Sequence, residues 1–360
     1  MKRFFECLLP SSTCNLKCDY CYVIQEGRNL GKMVHFQYSP EHIRKALSVD
    51  RLGGVCYFSI CAAGETLLSN ELIPVVLELL REGHFVNITT NGTVTKAFDK
   101  ISEFPKELLT HLHFAFSLHY IELKQRNLLD VFARNVCLMK QKGCSILVQM
   151  NLYDKYIPLI EEIFEYSITN FGAKPQLAAT RDELSSKIEI LTDLTVEEYC
   201  NQGKRFDSPL FDFTMQNFMV PRNEFCYAGE WTATLDITTG NMRKCYASAD
   251  VFNLYENIDD KIDFEAVGKH CRSPYCINSS HFLSLGNIPD FARDITYAGL
   301  RNRPEAKWYS DDMLNFLSIK LSNENKTYSC LKKIKVDVKY WVNRISRKIK
   351  REYKKLVLRK

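Results

Sequence analysis

"SSTCNLKCDYCYV", residues 11–23, places Cys14, Cys18 and Cys21 within eight positions, separated by three residues and then two. Thiolates are soft ligands that suit iron–sulfur clusters, zinc or Cu(I). Structural zinc normally takes four protein ligands. This loop offers three, and the nearest further ligand type, His35, stands fourteen residues on. Three thiolates on a four-iron cluster leave one iron open to a substrate or cofactor. The loop follows the apolar run Phe4–Leu9, so it is expected at the end of a strand.

The pattern repeats outward from there. Strands are expected at Val55–Ile60, Phe85–Thr90, Leu112–Leu118, Ser145–Leu152 and Gln176–Thr180. Helical signals lie between them. Ser39-Pro40 reads as a cap with proline at the first helical position. Ser69 reads as the cap of a helix with Leu72, Val75, Val76, Leu79 and Leu80 at helical spacing. Leu128–Lys142 and Ile157–Asn170 are two more helices. Strands alternating with helices mean βα units and a parallel sheet. The expected fold is α/β, a partial (β/α)6 TIM-like barrel. Such sheets place their chemistry at the C-terminal strand ends. Those ends carry the cysteines, then Ala63-Gly64-Glu65-Thr66, Thr90-Asn91-Gly92, Ser117-Leu118-His119, Gln149-Met150-Asn151 and Thr180-Arg181.

The 360 residues are 46% hydrophobic and 25% charged, an ordinary globular composition. No run of eighteen apolar residues exists, so no membrane-spanning helix is expected. The N-terminal apolar stretch is too short for a secretory signal. A cytoplasmic, reducing compartment is expected, where fourteen cysteines argue for metal or thiol chemistry. The net charge of +5 divides unevenly: residues 326–360 carry +12 and the rest −7. In that tail Ile334, Val338, Trp341, Ile345, Ile349, Tyr353 and Leu356 recur at steps of three and four among cations. A basic amphipathic helix suits an anionic surface, which extends the expected location to the inner membrane face. The competing reading docks the stripe on the body or a partner. No nucleic-acid-binding signature is present, and no nucleic-acid partner is expected.

CNLKCDYC resembles the CxxxCxxC loop of radical S-adenosylmethionine (SAM) enzymes, with Tyr20 at the family's aromatic position. The resemblance covers roughly residues 4–215. It implies that Cys14, Cys18 and Cys21 hold a [4Fe–4S] cluster whose open iron chelates SAM. One electron, from a reductase, flavodoxin or ferredoxin, would cleave SAM to a 5′-deoxyadenosyl radical that abstracts hydrogen from substrate. Ala63-Gly64-Glu65-Thr66 stands where the family has Gly-Gly-Glu-Pro, departing at its first and last residues. Gly64 would then allow close backbone approach, and Glu65 would accept the methionine ammonium. The resemblance further implies SAM contacts from Asn91, Ser117 and Asn151, and a fork from Arg181 to the SAM carboxylate. His119 is a candidate proton acceptor. Cys61 is either a core residue or a thiol that returns hydrogen to a substrate radical.

A second set of cysteines follows. Cys226 and Cys245 flank an expected hairpin turning at Thr239-Gly240-Asn241, and Cys271 and Cys276 come later with His281 nearby. Four thiols can close a zinc site or ligate a second cluster. The region resembles the twitch/SPASM extensions of radical SAM enzymes. The full SPASM form needs seven or more cysteines, and only five follow residue 220. The shorter form with one auxiliary [4Fe–4S] cluster is therefore expected, with His281 as an alternative ligand. The expected organisation is a core at 1–215, the auxiliary region at 216–300, a packing segment at 301–325 and the helical tail at 326–360. The whole-chain pattern resembles radical SAM proteins encoded beside polysaccharide-assembly genes. That implies a small-molecule or lipid-linked substrate such as a sugar, undergoing epimerisation or oxidation. A peptide- or protein-modifying maturase, an electron-transfer module without SAM cleavage and a structural zinc protein are the alternatives.

Overall fold

The computed structural model describes residues 1–357; the side chains of 347, 348 and 350–360 lie outside that description. Six parallel strands run in chain order: β1 (Arg3–Leu9), β2 (Cys56–Ala62), β3 (Phe85–Thr90), β4 (Leu112–Ser117), β5 (Ser145–Leu152) and β6 (Gln176–Ala179). Each pairs with its predecessor, as βα units joined by helices require. The sheet is an open, partial barrel, the fold class expected from the sequence. Most residues of β1 and β2 are buried, which marks strands covered on both faces.

The sheet does not stop at β6. β7 (Thr232–Asp236) pairs in parallel with the other edge of β1, from Phe4 opposite Thr232 to Leu8 opposite Asp236. β8 (Asn241–Arg243) and β9 (Val251–Asn253) extend it antiparallel, giving nine strands. The turn between β7 and β8 is the one read from Thr239-Gly240-Asn241, and Gly240 takes a positive φ of 81° there. The sheet thus runs across the 215/216 division.

Helix starts follow their local chemistry. The Ser39 side chain accepts from His42 N–H, with Pro40 at the first helical position of Pro40–Ala46. Ser69 does not cap its helix, contrary to the sequence reading. The Glu65 carboxylate accepts from Leu67 N–H at 2.9 Å and starts a 3₁₀ turn, Thr66–Leu68, so the α-helix begins only at Leu72.

The segment after residue 300 closes the N-terminal ends of the strands. Ile146 N–H donates to the Trp308 carbonyl at 2.8 Å, and Asn325 exchanges two hydrogen bonds with the Lys2 backbone. The short helix Tyr297–Arg301 leads into it and is mostly buried. The tail forms one helix, Cys330–Val357. It docks through buried Val336, through Tyr340 stacked on His270 at 3.9 Å, and through Lys339 on Glu265 at 2.8 Å. The expected apolar stripe lies on the other face. Ile334, Val338, Trp341, Ile345 and Ile349 are 48–63% exposed. Tyr353 and Leu356 of that stripe lie outside the described side chains. No described helix is long and apolar enough to cross a membrane.

Candidate active site

The strand ends converge. A cavity of about 410 Å³ is walled by Cys14, Cys18, Cys21 and Tyr20, and also by Cys61, Gly64, Glu65, Asn91, Ser117, His119 and Asn151. Eleven of the twelve residues assigned from the sequence to this site therefore surround one space.

Gly64 and Glu65 tie the cysteine loop to β2. Gly64 N–H donates to the Ser11 carbonyl at 2.8 Å and Glu65 N–H to the Thr13 carbonyl at 2.9 Å. The buried Glu65 carboxylate then accepts from Thr90 Oγ1 at 2.6 Å and Asn91 N–H at 2.7 Å, besides Leu67 N–H. Burial raises its pKa, and these three donors oppose the rise. A carboxylate offers about four acceptor sites, so one is left for a cationic ligand. Asn91 Nδ2 donates to Asn15 Oδ1 at 2.8 Å and reaches the Cys14 sulfur at 4.0 Å. Tyr20 is a buried anchor whose hydroxyl meets His119 Nδ1 at 2.6 Å and Tyr156 at 3.1 Å. Burial pulls the His119 pKa down to about 4, so the ring is neutral near pH 7.

The three thiols fit a cluster site. Burial is the chief cause raising Cys14 and Cys18; Cys21 adds to both, and Cys14 adds to Cys18. The suppressed ionisation of Cys14 and Cys18 is what metal binding reverses, because a coordinated thiol is deprotonated. Among the described residues no three His, Cys, Asp or Glu side chains are grouped to hold a single metal ion. A cluster differs in that it spreads its thiolates over separate irons.

Arg181 stands elsewhere. It pairs with Glu183 at 2.9 Å and lines a second cavity of about 800 Å³ inside the open barrel. Cys61, Tyr22, Thr89, Ser117 and Gln149 wall both cavities, so the two adjoin. The Cys61 thiol, on that seam, is pushed up to about 12 by burial with help from Glu6 and Glu65, and keeps its proton.

The sequence reading missed the interior of the barrel. Glu6, Ser59, Asn87, His113 and Ser145 are register partners across β1 to β5, so one polar row crosses the sheet. Glu6, Asn87 and His113 of this row line the larger cavity. Period-two alternation within each strand was the available signal. His281 joins the row: its Nδ1 lies 2.8 Å from Glu6 Oε2 and burial lowers its pKa. That places His281 on the barrel side.

The second cysteine set is also brought together. Cys226, Cys245 and Cys271 line a third cavity of about 550 Å³ under the tail helix. Burial raises Cys226, Cys245 and Cys276 first; Cys271 adds to all three, and Cys226 and Cys245 add to Cys276. Tyr246 and Ile277, next in sequence to Cys245 and Cys276, line the larger cavity.

His113 carries a pH prediction. Burial, with a smaller push from Arg301, lowers its pKa from 6.5 to about 3. A depressed histidine favours folding above its unfolded pKa, and that stability is lost as pH falls from about 6.5 toward 3. Its share of the loss between pH 7 and pH 5 is about 2 kcal/mol. Urea unfolding at the two pH values should show a loss smaller by about that amount in His113→Gln. An equal loss in wild type and variant would refute the assignment.

No family model matches the chain, and no curated protein does. Solved structures do. SuiB of Streptococcus suis bound to S-adenosylmethionine shares 15% identity at a TM-score of 0.50, over 72% of this chain and 64% of SuiB. SuiB bound to precursor peptide SuiA matches at 15% identity and 0.50, over 73% and 64%. The chain thus spans about 64% of the SuiB length. The fold is that of the radical SAM enzymes. The structure of anSMEcpe with bound AdoMet and Cp18Cys peptide is similar at 16% identity and 0.48, over 72% of this chain and 79% of that one.

Proposed function

We propose that the protein is a radical SAM enzyme with its cluster on Cys14, Cys18 and Cys21. One observation carries this reading: the three thiols and Glu65 face the same cavity, beside a second cavity large enough for substrate. When bound, the cluster and SAM supply a 5′-deoxyadenosyl radical that takes a hydrogen atom from substrate. The chain's residues position and enclose the reactants. The free acceptor site of Glu65 suits the methionine ammonium, and Ser117 and Asn151 supply polar contacts at the strand ends. His119, neutral and tied to Tyr20, serves as a polar wall. The protonated Cys61 thiol stands on the seam, where it suits hydrogen-atom return to substrate. An external reductant would then restore the thiol with one electron and a proton. The test is 5′-deoxyadenosine formation by the reconstituted protein.

The second thiol set suits one auxiliary [4Fe–4S] cluster on Cys226, Cys245, Cys271 and Cys276. Residues next to two of these ligands line the larger cavity, so such a cluster would stand beside the substrate. The polar interior row favours a hydroxylated small molecule, such as a sugar or lipid-linked sugar. SuiB and anSMEcpe were solved with peptides, and a peptide substrate is the second reading.

The exposed stripe of Cys330–Val357 suits an anionic membrane surface. It faces away from the docked side of the helix, and the segment 326–360 carries +12. Each cation near such a surface contributes about 1 kcal/mol. The protein should co-sediment with phosphatidylglycerol vesicles at least about tenfold more strongly than with phosphatidylcholine ones. Trp341→Glu with Ile345→Glu should weaken binding to the phosphatidylglycerol vesicles. Equal sedimentation with both lipids, or dimerisation through the stripe without lipid, would refute it.

A further inference from the structure

The inner end of the larger cavity holds a buried cation that has no ion-pair partner among the described residues. Arg301 is 2% exposed and lines the cavity from the closing helix Tyr297–Arg301. It appears in no ion pair among the described residues. Its guanidinium lies over the Tyr297 ring at 3.7 Å and makes one long bond, 3.5 Å, to the Tyr297 carbonyl. Glu6, the acid of the polar row on the same wall, hydrogen-bonds His281 and Asn278 and forms no ion pair with Arg301. The other acids on the cavity wall have partners of their own: Glu183 pairs with Arg181 and Glu26 with Arg28. A buried cation without a counter-ion is costly, and a guanidinium presents a donor fork shaped for a carboxylate or phosphate.

Two further groups in the same wall lack partners. Asn87 Oδ1 and His113 Nε2 are buried and make no hydrogen bond. His113 Nδ1 faces the Tyr57 hydroxyl at 2.7 Å. With Tyr57 donating to Nδ1, Nε2 carries the proton and is a donor. Native proteins leave few buried polar groups unsatisfied, and two beside one cation without an ion pair point to a missing ligand.

We propose that this end of the cavity is an oxyanion subsite, in which Arg301 and His113 take a carboxylate or phosphate group of the substrate. The inference rests on the radical SAM reading for its location and narrows the substrate to an anionic small molecule. The neutral end of that molecule would then extend toward Cys61 and the cysteine-lined cavity.

The test uses the reconstituted full chain, with melting temperature and affinity measured against inorganic phosphate, glucose 6-phosphate, glucuronate and neutral glucose. At least one anion should stabilise the wild type where glucose does not. Phosphate against glucuronate separates the two oxyanions. Arg301→Met should lose that binding, yet melt no lower than wild type without ligand, because it removes an uncompensated charge. Should Arg301→Met fail to fold, Arg301→Lys, which keeps the charge without the fork, should weaken anion binding about tenfold. Anion binding that is absent from the wild type, or unchanged in the folded variant, overturns the proposal. Uncoupled SAM cleavage by the wild type is run in parallel as an independent readout of the enzyme reading. Its absence from the wild type would count against the enzyme reading alone.

Discussion

Replacing Cys14, Cys18 and Cys21 together by alanine is expected to abolish 5′-deoxyadenosine formation and leave the fold standing. The three side chains sit on the loop beyond β1, where Cys14 is exposed and Cys21 half-buried. Only Cys18 is in the core, and truncating it costs about 1 kcal/mol. The sheet register, carried by main-chain pairing, is untouched. Chemistry is the sensitive quantity, because no other residue on the cavity wall supplies a thiolate in that geometry. After anaerobic reconstitution with iron and sulfide, the wild type should hold about eight irons and the variant about four, retained by the second cysteine set. With SAM and dithionite, chromatography should show 5′-deoxyadenosine from the wild type alone. The complementary variant, with Cys226, Cys245, Cys271 and Cys276 replaced, should still cleave SAM. Zinc in place of iron, or 5′-deoxyadenosine from the triple variant, would sink the assignment. A wild type that loads iron and never cleaves SAM would favour the electron-transfer module.

What could be read in advance divides along physical lines. The six parallel strands were legible because each is a short apolar run ended by a polar strand tip, and β3 and β5 match residue for residue. The cysteine cavity was legible because its residues sit at those tips, where local sequence dictates position. The sheet beyond β1 was not. Thr232–Asp236 reads as one arm of a hairpin, and nothing local says that its other edge pairs in parallel with β1, more than two hundred residues away. Ser69 misled because a competitor four residues upstream, the Glu65 carboxylate, began the turn first. Arg301 was invisible as a site residue because only the fold brings the closing helix under the barrel. The tail was legible as amphipathic, but which face docks depended on His270 and Glu265, contributed by a different segment.

Gly64→Ala is expected to disable the site from the other side of the cavity. A Cβ at this position would stand 2.1 Å from the Thr13 carbonyl oxygen, 2.6 Å from its carbon and 2.9 Å from the Ser12 carbonyl carbon. These are backbone atoms, so no side-chain rotation relieves the overlap. The crossing bonds from Gly64 to Ser11 and from Glu65 to Thr13 must lengthen or break. The displaced residues lead directly into Cys14, and the Glu65 backbone moves with them. A shift of about 1 Å in such a constellation costs roughly a hundredfold in rate. SAM cleavage should therefore fall by about that factor or more, with a stability loss of about 3 kcal/mol. Gly83→Ala is the informative control. Gly83 has a φ of +90° with nothing within 4 Å of the added carbon. It should lose about 1 kcal/mol to backbone strain and keep full SAM cleavage. Comparing 5′-deoxyadenosine yield and iron content in the two variants separates steric displacement of the cysteine loop from general destabilisation. Cleavage by Gly64→Ala within a few-fold of wild type would show that the β2 end does not position the loop.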